Sequence, residues 1–585
     1  AFVGLGHRRL SIIDLSEGGH QPMHFNDLSI VFNGEIYNYQ EIAKELKDIG
    51  YTFQSGSDTE VILKAFDRWG VKAVDRFIGM FAFVLYDKAK GEVLIFRDRA
   101  GVKPVYVYNH NGIILVASEL KSFHKHPRFE KEIDINALGL FLQYNYIPTP
   151  YCIFKNTQKL EPGHFLKVRL SDRQIEQVKY WDVVDAYNKP KLNISYDEAV
   201  EETERILKKS FKYRMVADVP VGLFLSGGYD SSAVTALLQS EYTQRLKTFT
   251  IGYKEHAFNE ADEAEMVAKH LGTDHVVQYC TADDASDILE KLPFIYDEPF
   301  ADNSVVPTYL VSKLAKKHVK VVLSGDAGDE IFAGYDKFNR SMRFTSYPRQ
   351  LQSLLSGIMN LVPAGNIPLL KKAYNFDTRY EKMQKIWESK DPNIAMKLIS
   401  QYITESEAKR YLQKSFVNQS TYFDIGPDLN ENNDALNKLL AIDYKTFLLD
   451  NNLTKVDRAT MSVSLEGREP ILDHNIIEFV SQLPSSYKIR DGVNKHLLKT
   501  IVHKYVPKSI MERPKKPFVA PLGIWFKDEL KQYYYDFIDE KKLKEDGIFS
   551  TEVLKLRDQF MTGTPVNHQK LWNILMFQIW KEKWM

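Results

Sequence analysis

Strands and helices alternate in the middle of the chain, and this alternation constrains the fold more than any other feature. Apolar runs rich in β-branched residues occur within residues 219–324, and helical stretches separate them; the runs are VGLFLSGG, LKTFTIGY, DHVVQY and VKVVLSGD. Strands that alternate with helices form a parallel sheet with helices on its faces. The sequence therefore predicts a parallel α/β domain in this region.

The first of these strands leads directly into a loop of small residues. Residues 226–232 read SGGYDSS and precede the helical run AVTALLQ. Such a loop leaves backbone N–H groups unpaired at a helix N-terminus, where they can bind phosphate. The Asp230 carboxylate can bind a Mg²⁺ ion that accompanies the phosphate. A tight turn in which Ser and Asp only cap the helix is the alternative.

The strand VKVVL also ends in small and acidic residues, SGDAGDE at 324–330. Open α/β sheets bind ligands at the carboxyl ends of their strands, so we expect Asp326 and Asp329 to face the same cleft as Asp230. A solvated acidic turn is the alternative. Ala327 fits this loop without strain unless its φ is positive.

The flanking regions differ in texture. Residues 1–182 contain short β-type runs between turns, which predicts a sheet-rich domain. We place a linker at 183–195, where apolar residues are few, and a second domain at 196–585, which opens on the capping-box pattern of Ser195 and Glu198. Strand signals are few beyond about residue 335, so we expect a helical extension there.

Composition limits the partners and the compartment. The 77 basic residues balance 77 acidic ones, which leaves no global field to attract nucleic acid or an anionic membrane. The only cysteines are Cys152 and Cys280, which excludes a disulfide framework and fits a reducing compartment. Uncharged stretches at 135–154 and 350–370 reach membrane-spanning length, but each contains two prolines together with Asn and Gln. We therefore expect a cytoplasmic protein without a nucleic-acid or membrane partner.

These motifs resemble those of a known enzyme family. SGGYDSS is similar to the pyrophosphatase loop of the N-type ATP pyrophosphatases, which cleave ATP between the α- and β-phosphates and form an adenylate. Further segments follow in the order found in glutamine-hydrolysing asparagine synthetases, namely TFTIGY, DEPFADNSVVPTYLVS, LSGDAGDEIFAGY and LTKVDRATMSVSLEGREPILD. The N-terminal region resembles class II glutamine amidotransferases in HRRLSIIDL, NGEIYN and SGSDTE. The likeness covers nearly the whole chain.

The resemblance implies a fold for each domain. The N-terminal domain is expected to be an Ntn-type αββα sandwich, and the second a HUP-like α/β ATP-pyrophosphatase domain with a helical C-terminal extension. Family members have several tens of residues before the first shared motif, including an N-terminal Cys nucleophile, whereas this chain begins with Ala1. We therefore expect that the natural start is missing; a lineage that lost glutaminase activity and uses ammonia is the alternative.

The resemblance also implies roles at an ATP site. Asp230 and Asp329 are the implied magnesium ligands, and Asp326 is expected near the reacting carboxylate. Lys515, in the element RPKKPF, is implied to stabilise the adenylation transition state; a solvated basic loop is the alternative, because Pro517 replaces the family's Gly. Glu466, Arg468, Glu469, Asp457 and Arg458 are candidates for the amino-acid pocket. The implied ATP contacts are Leu225, Ser226, Gly227, Gly228, Asp230, Ser231, Ser232, Ile251, Ser324 and Gly325.

A glutamine site is implied in the N-terminal domain. Arg9 can pair with the α-carboxylate of glutamine and Asp58 with its α-ammonium. Asn33 and the Gly34 backbone N–H can donate to an oxyanion. The full implied set is Arg9, Leu10, Ser11, Ile12, Ile13, Asn33, Gly34, Glu35 and Asp58.

Taken together, the resemblance predicts a ligase that forms asparagine. ATP with Mg²⁺ adenylates the side chain of aspartate, and ammonia, from glutamine or free, attacks the β-aspartyl-AMP to release AMP. An acceptor other than aspartate, such as a sugar or small-metabolite carboxylate, is one alternative. A non-catalytic nucleotide-sensing homologue is the other. A homodimer is compatible with the family, but the sequence leaves the oligomeric state open.

Overall fold

The computed structural model describes residues 2–362, 374–513 and 518–585. Three sheets occur in this part of the chain: an antiparallel one in the order β1-β2-β3-β4-β8-β9, a smaller antiparallel one in the order β6-β5-β7, and a parallel one in the order β12-β11-β10-β13-β14. The strands are β1 (Met23–Phe25), β2 (Leu28–Ile36), β3 (Gly79–Asp87), β4 (Glu92–Arg97), β5 (Tyr106–His110), β6 (Ile113–Ala117), β7 (Thr157–Lys159), β8 (His164–Arg169), β9 (Ile175–Lys179), β10 (Val221–Phe224), β11 (Lys247–Tyr253), β12 (Asp274–Cys280), β13 (Val321–Leu323) and β14 (Glu466–Arg468).

The two antiparallel sheets form the N-terminal sandwich. Ala82, Ile95, Val107 and Leu166 are among the buried side chains of the apolar layer between the sheets. A second apolar layer joins the other face of the six-stranded sheet to two helices. The helices of this region are α1 (Tyr39–Asp48), α2 (Asp58–Trp69), α3 (Ile135–Tyr144) and α4 (Val183–Tyr187). The predicted Ntn-type αββα sandwich is confirmed.

The parallel sheet confirms the predicted α/β domain. Its four predicted strands are β10 to β13, and strand order reverses between β10 and β13, which makes that pair a topological switch point. The sequence analysis missed β14, which pairs with β13 through Val321–Glu466 and Leu323–Arg468. Its three residues carry no apolar pattern, so only the pairing reveals the strand.

Helices surround this sheet and form the C-terminal extension, as predicted. The capping box of Ser195 and Glu198 begins α5, and a π-helix, Tyr444–Leu453, joins α17 to α18. No described helix is both long and apolar enough to cross a bilayer. The helices are α5 (Tyr196–Arg214), α6 (Tyr229–Gln239), α7 (Ala261–Leu271), α8 (Ala282–Leu289), α9 (Leu292–Tyr296), α10 (Val305–Lys316), α11 (Gly328–Ile331), α12 (Asp336–Thr345), α13 (Arg349–Leu361), α14 (Phe376–Ser389), α15 (Pro392–Ser400), α16 (Glu405–Tyr411), α17 (Ala435–Asp443), α18 (Thr454–Ser462), α19 (His474–Ser481), α20 (Ser485–Lys488), α21 (His496–Val502), α22 (Lys508–Met511), α23 (Leu522–Trp525), α24 (Lys531–Phe537), α25 (Glu540–Asp546), α26 (Glu552–Met561) and α27 (His568–Trp584).

Buried polar contacts connect the sandwich to the region around the parallel sheet. Lys103 Nζ lies 2.8 Å from Asp457 Oδ1, and both side chains are buried. Arg458 Nη1 lies 3.0 Å from Glu119 Oε1. Asp457 and Arg458, two candidates for the amino-acid pocket, therefore lie at the contact between the two regions.

Candidate functional site

The loops after β10 and β13 meet at the switch point. A Cβ atom added to Gly325 would lie 2.6 Å from the Ser231 backbone nitrogen, and one added to Gly328 would lie 2.2 Å from Asp230 Oδ1. At Gly325 only glycine permits this close approach between the two backbones, and at Gly328 the missing Cβ leaves room for the Asp230 carboxylate. The two acidic loops, separated by about a hundred residues in sequence, therefore form one site at the carboxyl edge of the sheet.

Lys495 brings a positive charge to the point where the two loops meet. Its Nζ contacts Asp230 Oδ2 and lies 2.6 Å from Asp329 Oδ1. Burial alone lowers the pKa of this ammonium, but the two carboxylates outweigh burial and raise the pKa. Lys495 precedes α21 with a left-handed backbone, φ +56°. The sequence analysis missed this residue because no motif surrounds it and only the fold brings it to both loops.

The carboxylates of this site suit a magnesium ion. Asp230 and Asp329 direct oxygen atoms to one cationic centre, and oxygen is the ligand that Mg²⁺ prefers. Among the described residues no group of three or more His, Cys, Asp or Glu side chains could hold a metal ion. A Mg²⁺ ion held by the two aspartates would therefore need further oxygen ligands from a bound molecule or from water.

Serine hydroxyls of the loop at 226–232 accept hydrogen bonds from backbone N–H groups of the same loop. The Ser226 N–H donates to Ser231 Oγ at 3.2 Å, and the Gly228 N–H donates to Ser226 Oγ at 3.3 Å. Arg513 Nη2 donates to the Gly227 carbonyl at 2.5 Å. Lys515 lies outside the described residues. Arg513 precedes it by two residues, and its hydrogen bond to Gly227 connects this part of the chain to the loop.

The remaining residues implied to contact ATP lie on or beside these loops. Leu225 and Ile251 are buried, and the Leu225 N–H donates to the Phe249 carbonyl at 3.0 Å. Ser232 and Ser324 are buried as well, and the Ser324 N–H donates to the Arg468 carbonyl at 3.0 Å. Leu225 and Ile251 thus belong to the core beneath the loop.

Ala327 has φ +76°, the left-handed conformation in which a Cβ causes strain. This strain costs an alanine about 1–2 kcal/mol. The condition set for Ala327 in the sequence analysis is therefore not met, and glycine would be unstrained at this position.

The acidic residue Glu469 lies on the side of the site that faces the sandwich. Burial, together with nearby Asp326 and Asp457, raises the pKa of Glu469 to about 8, although Lys103 opposes the rise. The side chain is therefore largely protonated at neutral pH. A neutral acid near Asp326 limits the negative charge at this end of the cleft.

Glu466 and Arg468 connect the two sites. Arg468 is fully buried, with its Nε 2.7 Å from Glu466 Oε1 and its Nη1 donating to the Arg214 and Val216 carbonyls. Its Nη2 lies 3.9 Å from Glu35 Oε1 in the sandwich. These two candidates for the amino-acid pocket thus contact each other, and Arg468 also binds backbone carbonyls and approaches Glu35 of the N-terminal sandwich.

Three separate segments meet at the implied glutamine site. The Gly56 N–H donates to Asp14 Oδ2 at 2.9 Å, and the Ile36 N–H donates to Asp58 Oδ2 at 3.0 Å. Burial raises the pKa of Asp58 to about 7.

Arg9 Nη2 donates to the Ile13 and Asp14 carbonyls at 2.7 Å each, so this guanidinium also stabilises its own loop. Leu10 and Ser11 are half-buried in that loop, and Ile12 and Ile13 are buried.

Asn33, Gly34 and Glu35 occupy the end of β2. Asn33 Nδ2 donates to Ser118 Oγ at 3.3 Å. Gly34 has φ +138°, and a Cβ there would lie 2.1 Å from the Met80 carbonyl oxygen. Burial, with Glu466 and Asp58 nearby, raises the pKa of Glu35 well above its ordinary value.

The two cysteines do not have the properties of a nucleophile. Both are free and buried. Burial raises the pKa of the Cys280 thiol to about 12, and it raises that of Cys152 well above the ordinary value. Thiols of this kind are not ionised at neutral pH, and only the thiolate is nucleophilic.

Comparison with known proteins finds matches to both halves of the chain. Residues 202–582 match the family described as Asparagine synthase, and residues 1–181 match the Glutamine amidotransferase domain. Asparagine synthetase [glutamine-hydrolyzing] 1 of Bacillus subtilis is 33% identical, covering 99% of this chain and 89% of its own length. A putative asparagine synthetase of Methanocaldococcus jannaschii is 37% identical over 78% of this chain and 89% of its own. Amidase chyE of Penicillium rubens is 28% identical over 89% of this chain and 82% of its own length.

Proposed function

We propose that this chain, which belongs to the family of glutamine-hydrolysing asparagine synthetases, forms asparagine by adenylating the side-chain carboxylate of aspartate. The chain is a ligase with a glutamine amidotransferase domain. The observation that carries the proposal is the meeting of the two loops at Asp230, Asp329 and Lys495. We place the enzyme in the cytoplasm, which suits two free cysteines.

The site can perform adenylation because it holds the triphosphate and compensates its charge. Backbone N–H groups of the loop at 226–232 and the N-terminus of α6 bind phosphate oxygens. A Mg²⁺ ion held by Asp230 and Asp329 supplies further positive charge when it is bound. Lys495 directs its ammonium to the same place, and we assign Lys515 to the departing pyrophosphate.

The acceptor lies on the side of the site that faces the sandwich. We assign Asp326 to this side, where Glu469 holds a proton at neutral pH. A protonated Glu469 does not repel the anionic acceptor, and it can donate a hydrogen bond to it. In adenylation the acceptor carboxylate attacks the α-phosphorus of ATP, pyrophosphate leaves, and a mixed anhydride forms. Ammonia then attacks the carbonyl carbon of this anhydride, with AMP as the leaving group.

Glutamine binds in the sandwich under this proposal. Arg9 and Asp58 recognise its α-carboxylate and α-ammonium, and Asn33 with the Gly34 N–H stabilises an oxyanion. Arg9 already donates to two carbonyls through Nη2, so its remaining donors take the α-carboxylate. Free ammonia enters at the same amidation step.

The proposal is tested with ammonium as the nitrogen source. The purified chain is incubated with ATP, Mg²⁺, aspartate and ammonium, and AMP, pyrophosphate and asparagine are measured. We expect the three products in equal amounts. AMP formation only with another carboxylate would establish the alternative acceptor, and no AMP with any acceptor would establish a non-catalytic protein.

Lys495→Met tests the charge at the centre of the site. We expect AMP formation to fall about 100-fold, the usual effect of removing one transition-state donor. The variant also leaves Asp230 and Asp329 without the ammonium, so Mg²⁺ should bind it more tightly without nucleotide and raise its melting temperature more than that of the parent. Lys508→Met, an exposed lysine on α22, is the control and should change neither property. An unchanged rate of AMP formation in Lys495→Met would contradict the assignment.

A further inference from the structure

Two hydrogen bonds attach the loop that contains Arg9 to the second domain. The Asp14 N–H donates to Asp218 Oδ2 at 2.8 Å, and the Asp218 N–H donates to the Ile12 carbonyl at 3.1 Å. We name residues 9–14 the glutamine loop. Asp218 lies in the connection between α5 and β10, and the proposed function assigns it no role. A residue of the second domain is therefore bonded to a loop that is implied to bind glutamine in the sandwich.

The apolar side chains of the glutamine loop pack in the same direction. Ile12 is 1% exposed and Ile13 is 3% exposed, and both belong to the core that continues into α5 through Phe211. In the part of the chain that the structure describes, neither belongs to the two apolar layers of the sandwich. Val216, which follows α5, packs against the same core. The loop is thus packed at the contact between the two domains rather than within the sandwich.

Arg468 fixes the connection that carries Asp218. This guanidinium is fully buried, and its Nη1 donates to the Arg214 and Val216 carbonyls at 2.7 Å each. Arg214 is buried as well, and its Nη1 contacts Asp473 Oδ2. Hydrogen bonds from charged donors are among the strongest in proteins, so they hold this backbone firmly. Asp218 therefore offers its carboxylate to the glutamine loop from a rigid support.

Asp14 connects Asp218 to the residues that are implied to bind glutamine. Its carbonyl accepts a hydrogen bond from Arg9 Nη2 at 2.7 Å, and its Oδ2 accepts one from the Gly56 N–H at 2.9 Å. Gly56 precedes Asp58 by two residues. Asp14 has φ +53°, a left-handed conformation that is uncommon outside glycine and persists where its surroundings hold it. Loss of the contact with Asp218 therefore loosens the residue that joins Arg9 to the segment of Asp58.

We infer that Asp218 is a positioning residue for glutamine, which it orients through Asp14 and the groups that bind the α-carboxylate and the α-ammonium. This role rests on the proposed glutamine site. A small displacement of groups that orient a substrate has a large effect on its recognition. Asp218 precedes β10, whereas the loop at 226–232 follows that strand, so the two lie at opposite ends of β10. Glutamine binding thus depends on Asp218, and synthesis from ammonium does not.

Glutamine binding to the whole chain tests the inference. Isothermal titration calorimetry measures the Kd for L-glutamine of the parent and of two variants at Asp218. We expect Asp218→Ala to raise this Kd about fivefold, because it removes a hydrogen bond to a charged acceptor. Asp218→Asn keeps an oxygen that can accept the Asp14 N–H, so its Kd should stay close to that of the parent.

The matched control is Asp539→Ala. It removes a carboxylate that accepts the Lys541 and Lys542 N–H groups at the start of α25, and it should bind glutamine like the parent. Circular dichroism establishes that each variant is folded. AMP formation with ammonium should proceed at the parental rate in both variants of Asp218.

A Kd of Asp218→Ala equal to that of the parent would overturn the inference. An equal loss of AMP formation with ammonium would also overturn it, because Asp218 would then support the whole fold and not glutamine binding. If the folded parent does not bind glutamine, the proposed glutamine site is wrong and the role of Asp218 fails with it. The ammonium assay decides separately whether the chain forms asparagine.

Discussion

Both the proposed ATP site and the proposed glutamine site contain a buried carboxyl group with a raised pKa. Burial raises the pKa of Glu469 to about 8 and that of Asp58 to about 7. Removing a carboxylate from water disfavours its charged form, so Glu469 retains most of its proton at neutral pH, whereas Asp58 is close to half ionised. Under our proposal a neutral Glu469 avoids electrostatic repulsion of the acceptor carboxylate, and an ionised Asp58 pairs with the α-ammonium of glutamine.

Stability should depend on pH through Glu469. Its pKa is about 8 in the folded chain and near 4.5 ordinarily, so the folded state binds the extra proton between these values. The free energy of unfolding therefore falls as pH rises through this window, by at most about 1.4 kcal/mol per pH unit from this group, and the loss ends above the higher value. Glu469→Gln removes this contribution. We expect the melting temperature of this variant to fall less steeply than that of the parent between pH 5 and pH 8. Glu582 is exposed, so Glu582→Gln is the control and should match the parent. Parallel curves of melting temperature against pH for Glu469→Gln and the parent would contradict the assignment.

At the scale of elements, close backbone approach decides where glycine is required. Gly34 lies within β2 opposite Phe81 of β3, with φ +138° and no space for a Cβ. Gly91, in the turn between β3 and β4, has φ +63° and no atom within 4 Å of a Cβ position. The two positions share a positive φ and differ in available space.

Gly34→Ala and Gly91→Ala should therefore differ in stability. A left-handed backbone costs alanine about 1–2 kcal/mol in Gly91→Ala. Gly34→Ala adds a collision with the Met80 carbonyl, and overpacking costs a further 1–3 kcal/mol or so. Thermal unfolding with limited proteolysis of the sandwich measures both variants. Equal melting temperatures for the two would show that the contact at Met80 imposes no constraint.

Elements with an apolar pattern were predictable. The structure confirms the four parallel strands from β10 to β13 and the helix α5. Their sequences show the apolar patterns typical of strands and of an amphipathic helix. The strand β14 escaped prediction because Glu466, Gly467 and Arg468 lack that pattern, and their burial follows from pairing with β13.

At the scale of the whole molecule, buried ion pairs join the sandwich to the parallel-sheet region. Lys103 follows β4 and Asp457 lies on α18, and their side chains are almost inaccessible to solvent. Burial opposes the charge on Lys103, but Asp457 and Glu466 raise its pKa. A buried pair of this kind is sensitive to the loss of one partner, because the other charge then remains without compensation.

Lys103→Met should destabilise the molecule by about 3–5 kcal/mol, the usual cost of an unpaired buried charge. The double variant Lys103→Met/Asp457→Leu should recover part of this loss, because neither charge then remains. Calorimetry of the parent, both single variants and the double variant gives the coupling between the two residues. Additive effects would show that the pair does not couple the two regions.

The sequence by itself determined the alternation of strands and helices, the two loops of small and acidic residues, and the family to which the motifs belong. These follow from local periodicity and from residue types at fixed spacing. The tertiary structure alone decided that Lys495 reaches both Asp230 and Asp329, that Arg468 approaches Glu35, and that Asp218 contacts Asp14. Such contacts join residues far apart in the chain, and their charge and burial depend on neighbours that no local pattern specifies.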